Sequence, residues 1–393
     1  MFHRMPFILL GIIFASVMLS PIMPFELKQF LYSISLSIKS IIVLVLPFII
    51  FGLLLKTVIT LSKKATQIIG LVLLFVCISN FISTFLSHYV GIGIYHLDFT
   101  MITPQKSMEL LPLWFFEPPR LLANDKAMFA GIILGALLSR LTPKRAETIA
   151  NKADQLIAGL LKMIVYLIPF FVAGFIVKLQ YDGVVSVIIK DYAPIFLLIA
   201  LAQFTYISLL FWGLNQFKVT GLLNDLKNML PAAISGFSTM SSAASMPLTL
   251  MGVENNTKHK ELSRAVIPAT VNIHLIGDCF AIPIFAYAVL RSFGMEEPSL
   301  VSYLIFTLYF VIAKFSVAAI PGGGIIVMLP ILEAHLGFNA QMMSLITALY
   351  ILFDPVITSA NVLGNGAFAK MIDTIVGYRI RKRSLHPKPS LNY

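Results

Sequence analysis

The chain has 393 residues, 58% of them hydrophobic and only 12% charged, with a formal net charge of +11. A soluble domain carries about 45–50% apolar and about 25% charged residues, so the excess apolar surface here needs lipid to cover it. The basic excess does not indicate nucleic acid, because Lys and Arg lie in short loops between apolar runs and no basic region is interleaved with aromatics.

The apolar runs fall at 6–25, 32–61, 66–96, 127–140, 148–179, 186–216, 265–292 and 343–377, with two interrupted segments at 222–252 and 301–337. A helix needs about 20 apolar residues to cross a bilayer, so the pattern predicts an all-α polytopic membrane protein. Arg4 followed by Pro6–Met18 has the outline of a signal peptide. The run continues to Phe25 and more runs follow, which favours a first transmembrane helix. Runs longer than a bilayer is thick imply tilted helices. Glu109–Lys126 holds Pro112, Pro118 and Pro119 and reads as an external loop or broken segment. Cys77 and Cys279 lie in apolar runs and read as buried thiols rather than a disulfide or a metal site.

Lys63–Lys64, Lys144–Arg145, Lys218, Lys227, Lys258–Arg264 and the tail Arg379–Arg383 share one side of the membrane if both interrupted segments turn back. That gives a consistent positive-inside pattern with both termini cytoplasmic. Full crossings at 222–252 and 301–337 would instead move Lys258–Arg264 to the other side.

The interruptions carry the chemistry. Residues 231–247 are small and hydroxyl-rich between apolar arms, and Ile320-Pro321-Gly322-Gly323-Gly324 cannot continue a helix. Non-helical backbone at membrane depth is tolerated only inside protein or along a cavity. Two such segments in one chain point to a transporter binding site, whereas either alone reads equally as a kink or a small-residue helix contact. The last run adds Asp354, Thr358, Asn361 and Asn365 near one helical face. A carboxylate within a span points to function, while the asparagines also suit interhelical hydrogen bonding. His274 and Asp278, four apart in the 265–292 run, are expected on one face as an ion pair, a proton relay or structural contacts. Lys314, seven residues before Pro321, either snorkels or pairs with a carboxylate.

In order and spacing these motifs resemble the dicarboxylate/amino acid:cation symporter family, the glutamate transporter homologues. Ser241-Ser242-Ala-Ala-Ser-Met-Pro247 resembles the tip of that family's first re-entrant hairpin, and Ile320–Gly324 the tip of its second. Asp354 through Asn361-Val-Leu-Gly-Asn365 resembles its last helix. The resemblance implies eight transmembrane helices plus two re-entrant hairpins in a homotrimer. Residues 1–65 and 99–180 would form a fixed scaffold. Residues 66–98 and 181–393 would form a transport domain that moves as an elevator. Ser241, Ser242 and backbone at Ile320, Pro321, Gly322 and Gly323 would cradle a substrate carboxylate, with Asn361 donating to it. Asp354 would hold an ammonium, with Thr358 and Asp278 lining the pocket.

Several positions depart from the family pattern. Ile357 and Met240 stand where members carry arginines, so side-chain carboxylates lose a bidentate partner. Asn365 replaces an Asp, and the seventh-span Asn-Met-Asp motif falls on His274-Leu275-Ile276, or on Asn272-Ile273-His274 if slid by two. Lys314 falls where the resemblance places hairpin carbonyls around another sodium, so its ammonium is expected to stand in as a built-in cation, with His274 and Asp278 or Asp354 coupling transport to protons. The expectation is a symporter for a small organic solute, an amino acid or related carboxylate or amine, in a bacterial inner membrane. It has no resident cofactor and is coupled to Na⁺ or H⁺ through His274, Lys314, Asn365 and Asn272. A channel-like family member is an alternative, as is a membrane enzyme that pairs Ser241 or Ser242 with His274.

Overall fold

A computed structural model describes residues 5–63, 67–96, 110–116, 118–119, 121–122, 124–182, 192–317 and 322–385. The only regular elements among the described residues are helices, without strands. The helices are α1 (Met5–Leu19), α2 (Phe25–Lys63), α3 (Gln67–His96), α4 (Asn124–Leu141), α5 (Pro143–Tyr181), α6 (Ala193–Leu214) and α7 (Val219–Thr239). They continue with α8 (Met246–Asn256), α9 (Lys260–Thr270), α10 (Ile276–Ser292), α11 (Leu300–Ala313), α12 (Gly323–Leu336) and α13 (Ala340–Leu385).

Among the described residues, Gly70–His96, Ala193–Leu214 and Ala340–Val376 are long and apolar enough to cross a membrane. Shorter apolar stretches lie in α4, α5, α11 and α12.

α2 packs mainly on α5 and α4, and glycine sets the distance. Gly131 and Gly135, one turn apart on α4, face the Phe51 and Leu55 carbonyls of α2, while Gly174 of α5 faces Leu31 O. Side chains at these points would force the helices apart. α10 is the centre of the other group. All of its residues except Arg291 are buried, as expected of a helix that is apolar all round, and it packs on α3, α13 and α6.

α7 and α8 run back along each other. Asn228 Nδ2 donates to Asn256 Oδ1 at 2.7 Å, and Asn256 Nδ2 donates to Asp225 O at 3.1 Å. The reversal is tighter than the 231–247 stretch suggested. The helix passes Pro231 and ends at Thr239, and only Met240–Ser245 turns, with Met240 at φ 49. α11 and α12 also pair, through a 3₁₀ turn at Lys314–Ser316 and a left-handed Gly322 at φ 72. Ile320 and Pro321 lie outside the described residues.

The 265–292 run is not one helix. α9 stops at Thr270, and α10 starts at Ile276. His274 therefore sits in the gap and not on a helical face shared with Asp278. Asn80 of α3 replaces the lost ladder bonds: its Nδ2 donates to Ile273 O at 2.7 Å, and its Oδ1 accepts from Leu275 N–H at 3.3 Å.

Candidate functional site

The three interruptions meet. Met240, Ser241 and Ser242 from the first hairpin turn, Val271, Asn272 and Leu275 from the gap, and Val317 and Gly324 from the second hairpin enclose a cavity of about 30 Å³. Asp278 of α10 and Tyr350, Asp354, Thr358 and Asn361 of α13 complete its wall. That is room for about two waters. The larger groove of about 370 Å³ lies elsewhere. It is an open apolar channel along α6 lined by residues such as Leu201, Phe204 and Leu209, without a charged side chain.

Seven residues singled out from the sequence thus share one wall: Ser241, Ser242, Asn272, Asp278, Asp354, Thr358 and Asn361. Gly322 and Gly323 stand just behind it at the start of α12. His274, Lys314 and Asn365 do not line it, although each bonds to residues that do or to their backbone neighbours.

The two carboxylates live differently. Asp278 is 1% exposed, and its Oδ2 accepts from Lys314 Nζ at 2.9 Å. Its Oδ1 accepts from Tyr350 O–H at 2.8 Å and, at a longer 3.4 Å, from Asn361 Nδ2. Lys314 is fully buried and also lies over the Phe310 ring, 4.5 Å from its centroid. Snorkelling is therefore ruled out for Lys314, whose partner is Asp278. Asp354 Oδ2 accepts from Gly322 N–H at 2.8 Å and Oδ1 from Thr358 O–H at 3.0 Å. Among the described residues no basic side chain pairs with Asp354. One carboxylate in the wall thus has an ammonium partner within the protein, and the other has none among the described residues.

Asn365 sits one turn beyond Asn361. Its Nδ2 donates to Asn361 O at 3.0 Å and His274 O at 3.1 Å, and its Oδ1 accepts from Thr270 O–H at 3.0 Å. The expected His274–Asp278 contact does not form, because the chain breaks between them. His274 instead meets Ser79 Oγ at 2.9 Å through Nε2 and stacks on Phe368, and its buried Nδ1 has no partner among the described residues. A serine–histidine pair without an acid on the second nitrogen lacks the third member of a hydrolytic triad, and it lies away from Ser241 and Ser242.

Sequence reasoning missed Tyr350, Ser79 and Asn80, and it placed Gly324 in the second hairpin tip without giving it a part in the wall. Gly324 is informative. A Cβ there would lie 2.6 Å from Asp278 Oδ2 and would also run into the Tyr350 hydroxyl. A signal for α3 was present: Asn80, Thr84, Ser87 and His88 recur at helical spacing within an apolar run, and all are buried.

Comparison with known proteins agrees with this arrangement. Excitatory amino acid transporter 1 of Mus musculus is 24% identical over 242 residues, 60% of this chain and 44% of that protein. Neutral amino acid transporter B(0) of Macaca fascicularis is 28% identical over 271 residues, 65% of this chain and 48% of that protein. An excitatory amino acid transporter of Onchocerca volvulus is 28% identical over 148 residues, 37% of this chain and 30% of that protein. The chain thus spans less than half the length of each of these relatives, which are transporters and not enzymes. The profile of one family covers residues 125–375, from the start of α4 to the end of the α13 site face. With both hairpins, the gap and the carboxylate-bearing last helix inside that match, the chain belongs to the sodium:dicarboxylate symporter family.

Proposed function

We propose that this chain is a secondary transporter that carries a small amine-bearing solute, an amino acid or a related compound, through the membrane. The observation that carries the reading is Asp354, a buried carboxylate in the cavity wall with no basic partner among the described residues. An ammonium group supplies the missing charge, and an unpaired buried charge is costly. Ser241 and Ser242 line the wall, and the N–H groups at the start of α12 suit a carboxylate on the same solute. A second carboxylate has no counterpart among the described residues of the wall, because Lys314 is already held by Asp278. A dicarboxylate is therefore the poorer substrate, despite the family's description.

The mechanism fitting this wall is an elevator with eight spans and two re-entrant hairpins, assembled as a homotrimer with both termini cytoplasmic in a bacterial inner membrane. Packing supports the division. α2, α4 and α5 hold one another and α1 leans on α5, while α3 joins α10 among the later helices. Residues 1–65 and 99–180 serve as scaffold, and 66–98 with 181–393 move with the solute. The coupling ion is Na⁺ or H⁺.

Uptake of labelled neutral, cationic and acidic amino acids and a C4-dicarboxylate into proteoliposomes tests the reading. The expected result is saturable uptake with counterflow for a neutral or cationic amino acid. Uptake of the C4-dicarboxylate alone overturns the assignment of Asp354, uptake of acidic amino acids alone overturns the statement that a second carboxylate has no counterpart, and flux without counterflow favours a channel.

A further inference from the structure

The family's description names sodium, and the donor set around the cavity does not suit it. A hard cation is held by several oxygen atoms with lone pairs free to face it. Here protein donors already face those oxygens. Lys314 Nζ lies 2.9 Å from Asp278 Oδ2, and Tyr350 O–H lies 2.8 Å from Oδ1. The Asn365 amide covers the carbonyl oxygens of Asn361 and His274 at 3.0 and 3.1 Å. Among the described residues no three His, Cys, Asp or Glu side chains gather as a metal cluster.

The Lys314 ammonium is no passing contact. It is 0% exposed and fixed from two sides, by Asp278 and by the Phe310 ring. It leaves from a 3₁₀ turn that packs on α2, so its position is set by the backbone as well as by its partner. A second cation near Asp278 would meet this ammonium across a few ångströms of low-dielectric interior, where like charges repel strongly.

We infer that Lys314 is a tethered counter-cation that takes the place of a bound alkali-metal ion at Asp278, so that this chain closes its solute site without sodium. The inference deepens the reading of the cavity as the solute site, but its test does not depend on which solute that is. The second hairpin's first arm brings the charge that a diffusing ion would otherwise bring. It arrives with the protein and never has to be found, bound or released.

The test uses purified full-length protein and the metal alone as probe. Thermal unfolding is followed while NaCl replaces choline chloride at constant ionic strength, for wild type, Lys314→Met and the double variant Lys314→Met with Asp278→Asn. Wild type is expected to keep the same midpoint throughout. Lys314→Met, which frees the Asp278 carboxylate, is expected to gain a saturable, sodium-dependent rise in midpoint, as ligand binding to the folded state requires. The double variant is expected to lose that rise. A saturable rise with sodium in wild type overturns the inference, as does a folded Lys314→Met that ignores sodium. If Lys314→Met does not fold, Lys314→Gln takes its place under the same criteria, and if neither folds the wild-type titration decides alone. Where an amino acid is found to be transported, its apparent affinity in sodium and choline gives a second readout. Linked ions commonly change affinity by about 5–150-fold, and a change below about twofold is expected here. Sodium dependence with amino acid uptake intact would remove the tethered cation and leave the solute reading standing.

Discussion

Asn80 is a small side chain with a large structural task, and replacing it by alanine isolates that task. Its amide bonds to both backbone groups of the gap between α9 and α10 that face α3, Ile273 O at 2.7 Å and Leu275 N–H at 3.3 Å. All three residues are buried. Alanine would leave one carbonyl and one N–H without partners, each worth about 1–3 kcal/mol. The longer bond contributes less and a water can enter the space left behind, so the expected loss is about 2–4 kcal/mol. Asn80→Asp should cost at least as much, because it loses the donor to Ile273 O and buries a charge. Ser139→Ala serves as control, since that hydroxyl bonds only to Gly135 O of its own helix. Thermal unfolding of the purified proteins reads the difference. Uptake should fall along with stability, because the gap carries Val271, Asn272 and Leu275 into the cavity wall. An Asn80→Ala protein indistinguishable from Ser139→Ala, within about 0.5 kcal/mol, would refute the view that Asn80 holds the gap.

Asp354→Asn should abolish uptake of amine-bearing solutes while leaving the unfolding midpoint close to wild type, since an amide oxygen still accepts from Gly322 N–H; retained uptake would remove Asp354 from the site. Gly324→Ala should fill the space between Asp278 and Tyr350, stop uptake and cost about 1–3 kcal/mol by overpacking, measured by unfolding and flux together. Lys370 pairs with Asp225 and bonds to Asn215 Oδ1 at 2.8 Å, tying α7 to α13. Lys370→Ala should therefore cost about 3–5 kcal/mol in wild type and far less in an Asp225→Asn background, a difference that a double-mutant cycle on unfolding detects.

The broken segments were legible in the sequence because proline, glycine and serine runs have a physical meaning wherever they interrupt an apolar stretch. Ser241 and Ser242 could be selected on that ground, and Asp354, Thr358 and Asn361 as polar residues near one face of an apolar run, before any geometry. Partner choice could not. Lys314 lies 36 residues from Asp278 and 40 from Asp354, and only the packing of α11 against the core decides between them. His274 was misassigned for a related reason. Four-residue spacing implies a shared face only if the helix runs through both residues, and the break at 271–275 has no proline or glycine within it to announce it. The side chain that makes the break tolerable, Asn80, lies nearly 200 residues away. Tyr350 was hidden in the opposite way: within an apolar run a tyrosine looks like core, and its hydroxyl gains meaning only beside Asp278.

A cavity of about 30 Å³ also governs the kinetics of binding. Solute pockets usually measure about 300–1,000 Å³, so no amino acid fits the conformation drawn here. If a solute binds in this wall as proposed, association runs through molecules in which the Gly322–Asp354 contact or the Met240–Ser245 turn has opened. The measured affinity is then the intrinsic affinity scaled by the fraction of molecules already open. A substitution far from any solute contact that merely loosens one turn will make the protein appear to bind more tightly, and it will do so through a faster association rate.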